Sequence, residues 1–403
     1  METTDQEIET YIKDAMDHQH FSKYAIALTG ESENSDGFAS HINFATVSAT
    51  TEEGIEKTIE VVVKSSRKNL IQANPSLYGR EAYIYETILP AFTKFQMQND
   101  IKDIFDSVPK CYKTMSDDTM EVLVMENLKK NGYDLYDRKR PLDLNHLKLI
   151  LREYGKFHAI SFAFRDKDRS GFEKLVTNFD DVMIQYFVES LRKTINGYMA
   201  KACDIVKEVG DKKLYETCYK VLQKGADVAA IEIMKIVEPE SAMLHGDGWN
   251  NNFVYKYEGS KVPSKVAILD WQLARLHSPA LDISYLIYAT CSEEELKHFD
   301  ELLETYYSSF STFLTELGSD PEKLFPYSTL QKHWKKYSLF GVLTLVAYLH
   351  LILCDDEEVP DFDECDDQAD YTEKLMAIKI TEESEYRKRL IAAISHYCSY
   401  IDS

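Results

Sequence analysis

Strand-like and helix-like patterns occupy separate parts of this chain, and the change of pattern falls near residues 128–131. Before it, a helix is predicted at 6–20, a second helix at 76–96, and strands at 21–28, 42–49, 58–65, 107–114 and 120–125. The run Val61-Val62-Val63 is β-branched and continuous, which is typical of a buried strand. Strands, then one helix, then strands predict an antiparallel sheet with a packed helix.

After this boundary the pattern is mainly helical. Apolar residues recur at helical spacing in six stretches, namely 144–164, 181–205, 213–236, 293–317, 330–354 and 372–400. A short β-like patch at 252–257 and 266–269 interrupts them. The sequence therefore predicts an α+β chain with a small β-rich N-terminal lobe, residues 1–128, and a large, mostly helical C-terminal lobe, residues 129–403.

Length and composition agree with two lobes and limit the partners. A chain of 403 residues is too long for one compact core, and 44% hydrophobic residues indicate a globular protein. The formal net charge of −22 repels nucleic-acid phosphates and anionic lipid, so neither is expected as a partner. Seven dispersed cysteines and an acidic start without an apolar core predict a cytoplasmic protein. The apolar run at 338–354 is interpreted as a buried helix and not as a membrane span.

One loop and the hairpin after it carry the residue types that phosphoryl transfer needs. The segment at 245–252 has the pattern H-x-D-x-x-x-x-N, and an apolar strand precedes Asp270. Phosphoryl transfer requires a carboxylate that orients the attacking hydroxyl, a metal ligand, and a second carboxylate that joins metal and phosphates. Asp247, Asn252 and Asp270 are the predicted catalytic residues, with Asn252 and Asp270 as the ligands of Mg²⁺. If they were ordinary turn residues, the spacing and the hairpin would be unexplained.

The N-terminal lobe must then supply a lysine for the phosphates of ATP and a helical glutamate that holds it. Lys64 ends the Val-Val-Val-Lys strand, although a solvated strand end would look the same. On the following helix Glu81 and Glu86 are both candidates, and Glu81 is the predicted partner.

Two further stretches are candidate nucleotide contacts. The segment at 125–128 lies where the lobes join, so the backbone of Glu126 and Leu128 is predicted to bind adenine, although a plain linker would use the same residues. The glycine-poor loop at 30–40 is predicted to cover the phosphates through Gly37, Phe38 and Ser40, with its carboxylates pointing to solvent.

These motifs together resemble the insect ecdysteroid kinase-like family, relatives of choline and aminoglycoside kinases. The matching stretches are 61–64, 81–85 with Leu89-Pro90, 124–128, 155–159, 245–252, 270–272 and 278–282. The resemblance implies a protein-kinase-like two-lobed fold, ATP, Mg²⁺ and a small hydroxylated acceptor such as a steroid. It also suggests that His158 lies beneath the catalytic loop, whereas a satisfied core histidine is the simpler interpretation.

A small acceptor is favoured over a protein substrate. Gly246 stands where protein kinases commonly have the Arg of H-R-D, and only a short stretch separates Asp270 from Asp282. Aromatic and aliphatic residues of the late helices are candidate pocket walls, although core packing explains them equally well: Tyr285, Tyr288, Phe340, Leu343, Tyr348 and Leu351. A choline-type amine or an aminoglycoside remains an alternative acceptor, and a binding protein without turnover remains an alternative function.

Overall fold

The computed structural model describes residues 4–19, 21–31, 40–66, 75–116, 121–177, 192–223, 233–234, 239–359, 370, 373–374 and 377–401. Its N-terminal part consists of α1 (Asp5–Asp17), β1 (Phe21–Glu31), β2 (Ser40–Thr51), β3 (Glu56–Ser66), α2 (Pro75–Tyr83), a π-helical turn (Ile84–Ile88), α3 (Leu89–Gln98), β4 (Cys111–Ser116) and β5 (Glu121–Glu126).

The five strands form one antiparallel sheet in the order β1-β2-β3-β5-β4. This confirms the predicted sheet. Helix α1 begins with a capping box between Thr4 and Glu7, which satisfies free backbone N–H groups. Its apolar side chains, including Ile8 and Ile12, join a buried cluster with Val61 and other strand residues. The helix therefore covers one face of the sheet.

The helix over 75–98 runs past Pro90 because its hydrogen-bonding pattern changes just before that residue. Leu89 donates its backbone N–H to Ile84, five residues back, as in a π-helix. Proline has no N–H and crowds the preceding turn of an α-helix. The wider turn accommodates the proline, and the predicted helix at 76–96 is confirmed to Gln98.

The C-terminal part is mainly helical. It consists of a 3₁₀ turn (Leu128–Asn131), β6 (Tyr133–Leu135), α4 (Leu144–Lys167), α5 (Arg169–Val176), α6 (Arg192–Glu208), α7 (Lys212–Leu222), β7 (Ala242–Leu244), a 3₁₀ turn (Asn250–Asn252), β8 (Phe253–Tyr257), β9 (Pro263–Ile268), β10 (Arg275–His277), α8 (Ala280–Thr290), α9 (Glu293–Leu296), α10 (Phe299–Glu316), α11 (Pro321–Leu324), α12 (Tyr327–Tyr337), α13 (Leu339–Leu353), a 3₁₀ turn (Asp356–Glu358) and α14 (Glu383–Ile401).

The architecture is the predicted α+β one, with corrections in detail. The strand predicted at 107–114 begins only at Cys111, and helix α8 was not predicted. Two predicted helices are each divided, at 297–298 and at Ser338. Parts of three others, at 181–191, 224–232 and 372–376, lie wholly or mostly outside the described residues.

One large buried cluster extends across the junction between the two parts. It includes Tyr85 of the π-helical turn and Met125 of β5 together with Phe157 of α4 and Ile268 of β9. The backbone N–H of Ile268 also donates to Ser107 O at 2.8 Å. The sheet therefore packs directly against the helical part. The boundary between the lobes at residue 128 stays a prediction.

Helix α13 matches the apolar run of the sequence, and all its residues except Tyr348 are buried. Within the described residues, no single helix has both the length and the apolar composition needed to cross a membrane; the segments 321–337 and 339–353, bent by 46° to each other, would meet those criteria as a pair.

Candidate active site

The predicted lysine and its glutamate are in direct contact. Lys64 Nζ on β3 donates to Glu81 Oε2 on α2 at 2.6 Å and to Asp270 Oδ1 at 2.9 Å. The Glu81 side chain is 1% exposed, whereas that of Asp270 is 34% exposed. One ammonium therefore joins the sheet, helix α2 and the segment after β9, and Asp270 is the more exposed of its two carboxylate partners.

The two glutamate candidates on this helix have different partners. Glu86 accepts a hydrogen bond from Thr114 on β4, while Glu81 binds Lys64 and also accepts from the backbone N–H of Trp271 at 3.3 Å. The structure thus brings Glu81, and not Glu86, to Lys64, as predicted.

Electrostatics keep Lys64 charged. Burial alone would lower its pKa, but the carboxylates of Asp270 and Glu81 outweigh that effect and raise the pKa of Lys64 above its usual value. A permanently cationic group at the edge of the cleft is suited to bind a polyphosphate.

Asp247 and Asn252 form the second half of the site. Asn252 Nδ2 donates to Asp247 Oδ2 at 2.7 Å and to Asp247 O at 3.0 Å. The 3₁₀ turn Asn250–Asn252 ends at β8, and the N–H of Leu269 donates to Asn252 O at 2.9 Å, just before Asp270. The hairpin β8–β9 therefore returns the chain beside its own starting loop, which places Asp270 near Asp247.

The pKa of Asp247 is raised first by burial and secondly by the negative charge of Asp270. The residue as a whole is half-buried. His245 and hydrogen bonds from Tyr285 and Asn252 act in the opposite direction. The two carboxylates therefore lie close enough for the charge of Asp270 to disfavour ionisation of Asp247.

A buried aspartate holds the loop that carries Asp247. Asp282, near the start of α8, accepts from the backbone N–H groups of His245 and Gly246, both at 2.8 Å. His158 on α4 lies 3.2 Å from Asp282 Oδ2 and 3.0 Å from the hydroxyl of Tyr306. His158 is therefore both beneath the catalytic loop and fully satisfied in the core. Sequence reasoning quoted Asp282 but gave it no role, because its partners are backbone groups.

Position 246 requires glycine because the backbone at Leu273 approaches it closely. Its φ of 88° lies in the left-handed region, and a Cβ at this position would lie 2.1 Å from the carbonyl oxygen of Leu273. No side chain fits here. The segment after Asp270 occupies the space on that side of Gly246.

These contacts reproduce the lysine, glutamate and two aspartates that the sequence predicted for a protein-kinase-like site. The sequence model of the ecdysteroid kinase-like family matches residues 34–319, more than half of the chain. The chain belongs to the ecdysteroid kinase-like family. That assignment supports a small-molecule kinase with a protein-kinase-like two-lobed fold.

Other comparisons add little to the ecdysteroid kinase-like assignment. No curated protein matches the chain significantly. Among solved structures, a mutant aminoglycoside 2'-phosphotransferase IIIa in complex with GDP is 13% identical, covers 86% of this chain and 90% of its own, and has a TM-score of 0.43. That likeness is too distant to support a conclusion about this chain.

The predicted adenine contacts of this ecdysteroid kinase-like protein lie at the end of β5. The Glu126 carboxylate accepts from Lys110 N at 3.2 Å and from the Asn131 side chain, and the Glu126 backbone N–H donates to Lys110 O at 2.8 Å. Leu128 begins the following 3₁₀ turn and is half-buried. Their roles stay predictions.

The predicted phosphate-covering loop is described only at its ends. Ser40 is buried, begins β2 and pairs in register with Ser66. Gly37 and Phe38 lie outside the described residues. The contact of this loop with phosphates therefore stays a prediction.

Oxygen donors at the cleft fit Mg²⁺ bound together with a nucleotide. Within the part of the chain that the structure describes, no group of three or more His, Cys, Asp or Glu could hold a metal. Mg²⁺ commonly takes only one or two protein ligands, with waters and phosphates completing its octahedron. Asp270 supplies a partly exposed carboxylate. The side-chain amide nitrogen of Asn252 binds Asp247, which leaves the side-chain oxygen of Asn252 for a metal.

Sequence reasoning missed the group that contacts Asp247 from α8. The Tyr285 hydroxyl donates to Asp247 Oδ1 at 2.9 Å. Tyr285 had been considered only as a candidate pocket wall. Its ring lies 6.2 Å from that of Phe340 on α13 in an edge-on arrangement, whereas Tyr288 faces His396 in the helical core. Of these three residues, Tyr285 contacts Asp247 directly and Phe340 packs against Tyr285.

Proposed function

We propose that this protein is an ATP- and Mg²⁺-dependent phosphotransferase that transfers the γ-phosphoryl group to a hydroxyl of an ecdysteroid or a similar hydrophobic alcohol. The observation that carries this proposal is the contact of Lys64 Nζ with both Glu81 and Asp270, which lie 17 and 206 residues away in the chain.

Each residue has a separate task in the proposed reaction. Lys64 binds phosphate oxygens, and Glu81 fixes its ammonium group. Asp270 and Asn252 hold Mg²⁺, which supplies charge neutralisation for the phosphates when bound. Asp247 accepts a hydrogen bond from the acceptor hydroxyl and orients it for attack. Its raised pKa brings it closer to the value suited to a base near neutral pH.

The surroundings of Asp247 support an apolar acceptor. Tyr285, which contacts the Asp247 carboxylate, and Phe340, whose ring packs against that of Tyr285, are both less than a tenth exposed. Leu343, one turn after Phe340, is also buried on this apolar helix. A steroid needs a largely apolar pocket with a few polar groups that fix its hydroxyls. The proposal places the protein in the cytoplasm and includes no nucleic acid, membrane or obligate protein partner.

The test is a phosphorylation assay with mass detection. The protein is incubated with MgATP and a set of ecdysteroids, and each steroid is examined for a mass gain of one phosphoryl group. Parallel reactions contain choline-like amines and aminoglycosides. We expect a phosphorylated ecdysteroid that is absent when Mg²⁺ is removed by a chelator.

The Asp247→Asn variant is the matched control for contaminating kinases, since it removes one carboxylate without changing side-chain size. Turnover of an amine or an aminoglycoside with no steroid product would support the kinase activity but reject a steroid as its acceptor. Binding of MgATP without transfer to any acceptor would instead support the non-catalytic alternative.

A further inference from the structure

Both oxygens of the Asp247 carboxylate are held by neighbouring side chains. Asn252 Nδ2 donates to Oδ2 at 2.7 Å, and the Tyr285 hydroxyl donates to Oδ1 at 2.9 Å. Two donors, one on each oxygen, fix the plane of a carboxylate that would otherwise rotate about its Cβ–Cγ bond. Asn252 has an assigned role as a metal ligand, but Tyr285 has none.

Tyr285 is on the helix that also holds the backbone of the catalytic loop. Asp282, three residues earlier on α8, accepts from the N–H groups of His245 and Gly246. Residues three apart lie on the same face of a helix. One face of α8 therefore binds the loop twice. Asp282 binds the backbone of the loop, and Tyr285 binds its Asp247 side chain.

The position of the Tyr285 hydroxyl is itself fixed by packing. The residue is 6% exposed, and its ring meets the edge of Phe340 at 6.2 Å. Burial, followed by the charge of Asp247, raises the pKa of Tyr285 well above its usual value, so the hydroxyl stays protonated and can donate. A tyrosine side chain has only two rotatable bonds, so a packed ring delivers its hydroxyl to a defined point.

We propose that Tyr285 is a positioning residue that holds the Asp247 carboxylate in the orientation needed to receive the proton of the acceptor hydroxyl. This inference rests on the proposed phosphotransferase activity. A misplacement of about 1 Å at a reacting group can cost about 10²-fold in rate, and hydrogen bonds to charged groups are stronger than those between neutral groups. Loss of the hydroxyl should therefore slow the chemical step and leave nucleotide binding unchanged.

The kinetic test compares Tyr285→Phe with Tyr288→Phe. Both variants lose one hydroxyl from a buried tyrosine of α8, but the Tyr288 hydroxyl contacts His396 on α14 and not Asp247. With the best acceptor found for the wild-type protein, we expect kcat of Tyr285→Phe to fall about tenfold or more, with the KM for MgATP unchanged. Tyr288→Phe should keep the wild-type kcat. Equal kcat values in the two variants, or a change confined to the KM for MgATP, would overturn the proposal.

A second measurement tests the contact without any turnover. Denaturant midpoints are compared for the wild type, Tyr285→Phe, Asp247→Ala and the double variant. If the hydroxyl acts through Asp247, removing it lowers the midpoint in the wild type but not in the Asp247→Ala background. Additive effects would reject the contact whatever the protein's activity. If the wild type phosphorylates no acceptor, the phosphotransferase proposal fails and the positioning role fails with it, while the midpoints still report whether the two side chains are coupled.

Discussion

Asp270 has a backbone conformation that few residues adopt. Its φ of 61° lies in the left-handed region, where aspartate and asparagine are tolerated better than most other residues. The conformation turns the carboxylate towards Lys64 directly after the buried strand β9. Substitutions at this position therefore change backbone strain as well as charge.

We expect Asp270→Asn to separate these two effects. Asparagine keeps the conformation and the side-chain size but removes the charge that Lys64 and Mg²⁺ require, so Mg²⁺-dependent nucleotide binding should be lost while the melting temperature changes little. Asp270→Ala should lose binding and also some stability. Calorimetric titration with MgATP and thermal melts check both. Unchanged MgATP affinity in Asp270→Asn would contradict the metal assignment.

Asp247→Asn should abolish most turnover and keep nucleotide binding. The amide cannot accept a proton from the acceptor hydroxyl, and such contributions are typically about 10²–10⁴-fold. Steady-state kinetics with MgATP titration measure both quantities. A variant within a few-fold of the wild-type rate would show that another group orients the hydroxyl.

Residues of the site could be predicted where a short motif fixes their spacing. Asp247, Asn252 and the strand before Asp270 form one local pattern, and the lysine and glutamate follow from what that pattern needs. Tyr285 and Asp282 could not be assigned in this way, because their partners lie 36–38 residues away in the chain. Only the packing of α8 against the loop brings them together.

Helix α2 is attached to its surroundings at three successive residues. Arg80 donates to the carbonyl oxygen of Ala274 at 2.7 Å, Glu81 binds Lys64, and the Ala82 N–H donates to Glu121 Oε1 at 3.1 Å. Glu121 is 3% exposed. Burial, and then the charge of Glu81, raise the pKa of Glu121 well above its usual value.

This carboxyl group should make stability depend on pH. Because its pKa is raised by folding, the folded protein binds the proton more tightly, so its contribution to stability falls as pH rises from about 4.3, the ordinary value for glutamate. Glu121→Gln keeps the acceptor for Ala82 and cannot ionise. Between pH 5 and pH 8 the variant should therefore lose less stability than the wild type, measured as denaturant midpoints. Parallel losses in the two proteins would contradict the raised pKa.

Element boundaries were predicted less well than the elements themselves. Apolar periodicity showed one helix over 330–354, yet the chain bends by 46° where α12 meets α13. Gly341, just after the bend, lets α13 pack closely against α8, since a Cβ there would lie 2.2 Å from the carbonyl oxygen of Ser284 on α8. Such close approach of two helices depends on tertiary packing and produces no periodic pattern of apolar residues in the sequence.

The largest buried cluster extends through both parts of the molecule, while a second, smaller cluster lies between α1 and the sheet. Leu123 and Met125 of the sheet and Ile88 of the π-helical turn belong to the same buried cluster as Phe157 and Leu286 of the helical part. Domains that unfold separately usually meet through few contacts. A common core should instead make the two parts unfold together.

We therefore expect a single calorimetric unfolding transition, with the amides of β3 and α8 exchanging with similar unfolding free energies by hydrogen exchange. A low-temperature transition confined to β1–β5 would show that the sheet unfolds independently. MgATP should raise the transition temperature, and the rise should continue with the logarithm of the MgATP concentration above Kd, whereas Asp270→Asn should abolish that rise.

The three attachments of helix α2 also bear on inhibitor design. A compound that enlarges the proposed nucleotide site by displacing this helix must break the Arg80, Glu81 and Ala82 contacts together, and it would leave the Lys64 ammonium and the Glu81 carboxylate buried without each other. Ligands that leave helix α2 in its position, and extend instead past Asp247 towards Phe340, avoid the free-energy cost of breaking these contacts. Selectivity for this protein should therefore come from the acceptor side of the cleft.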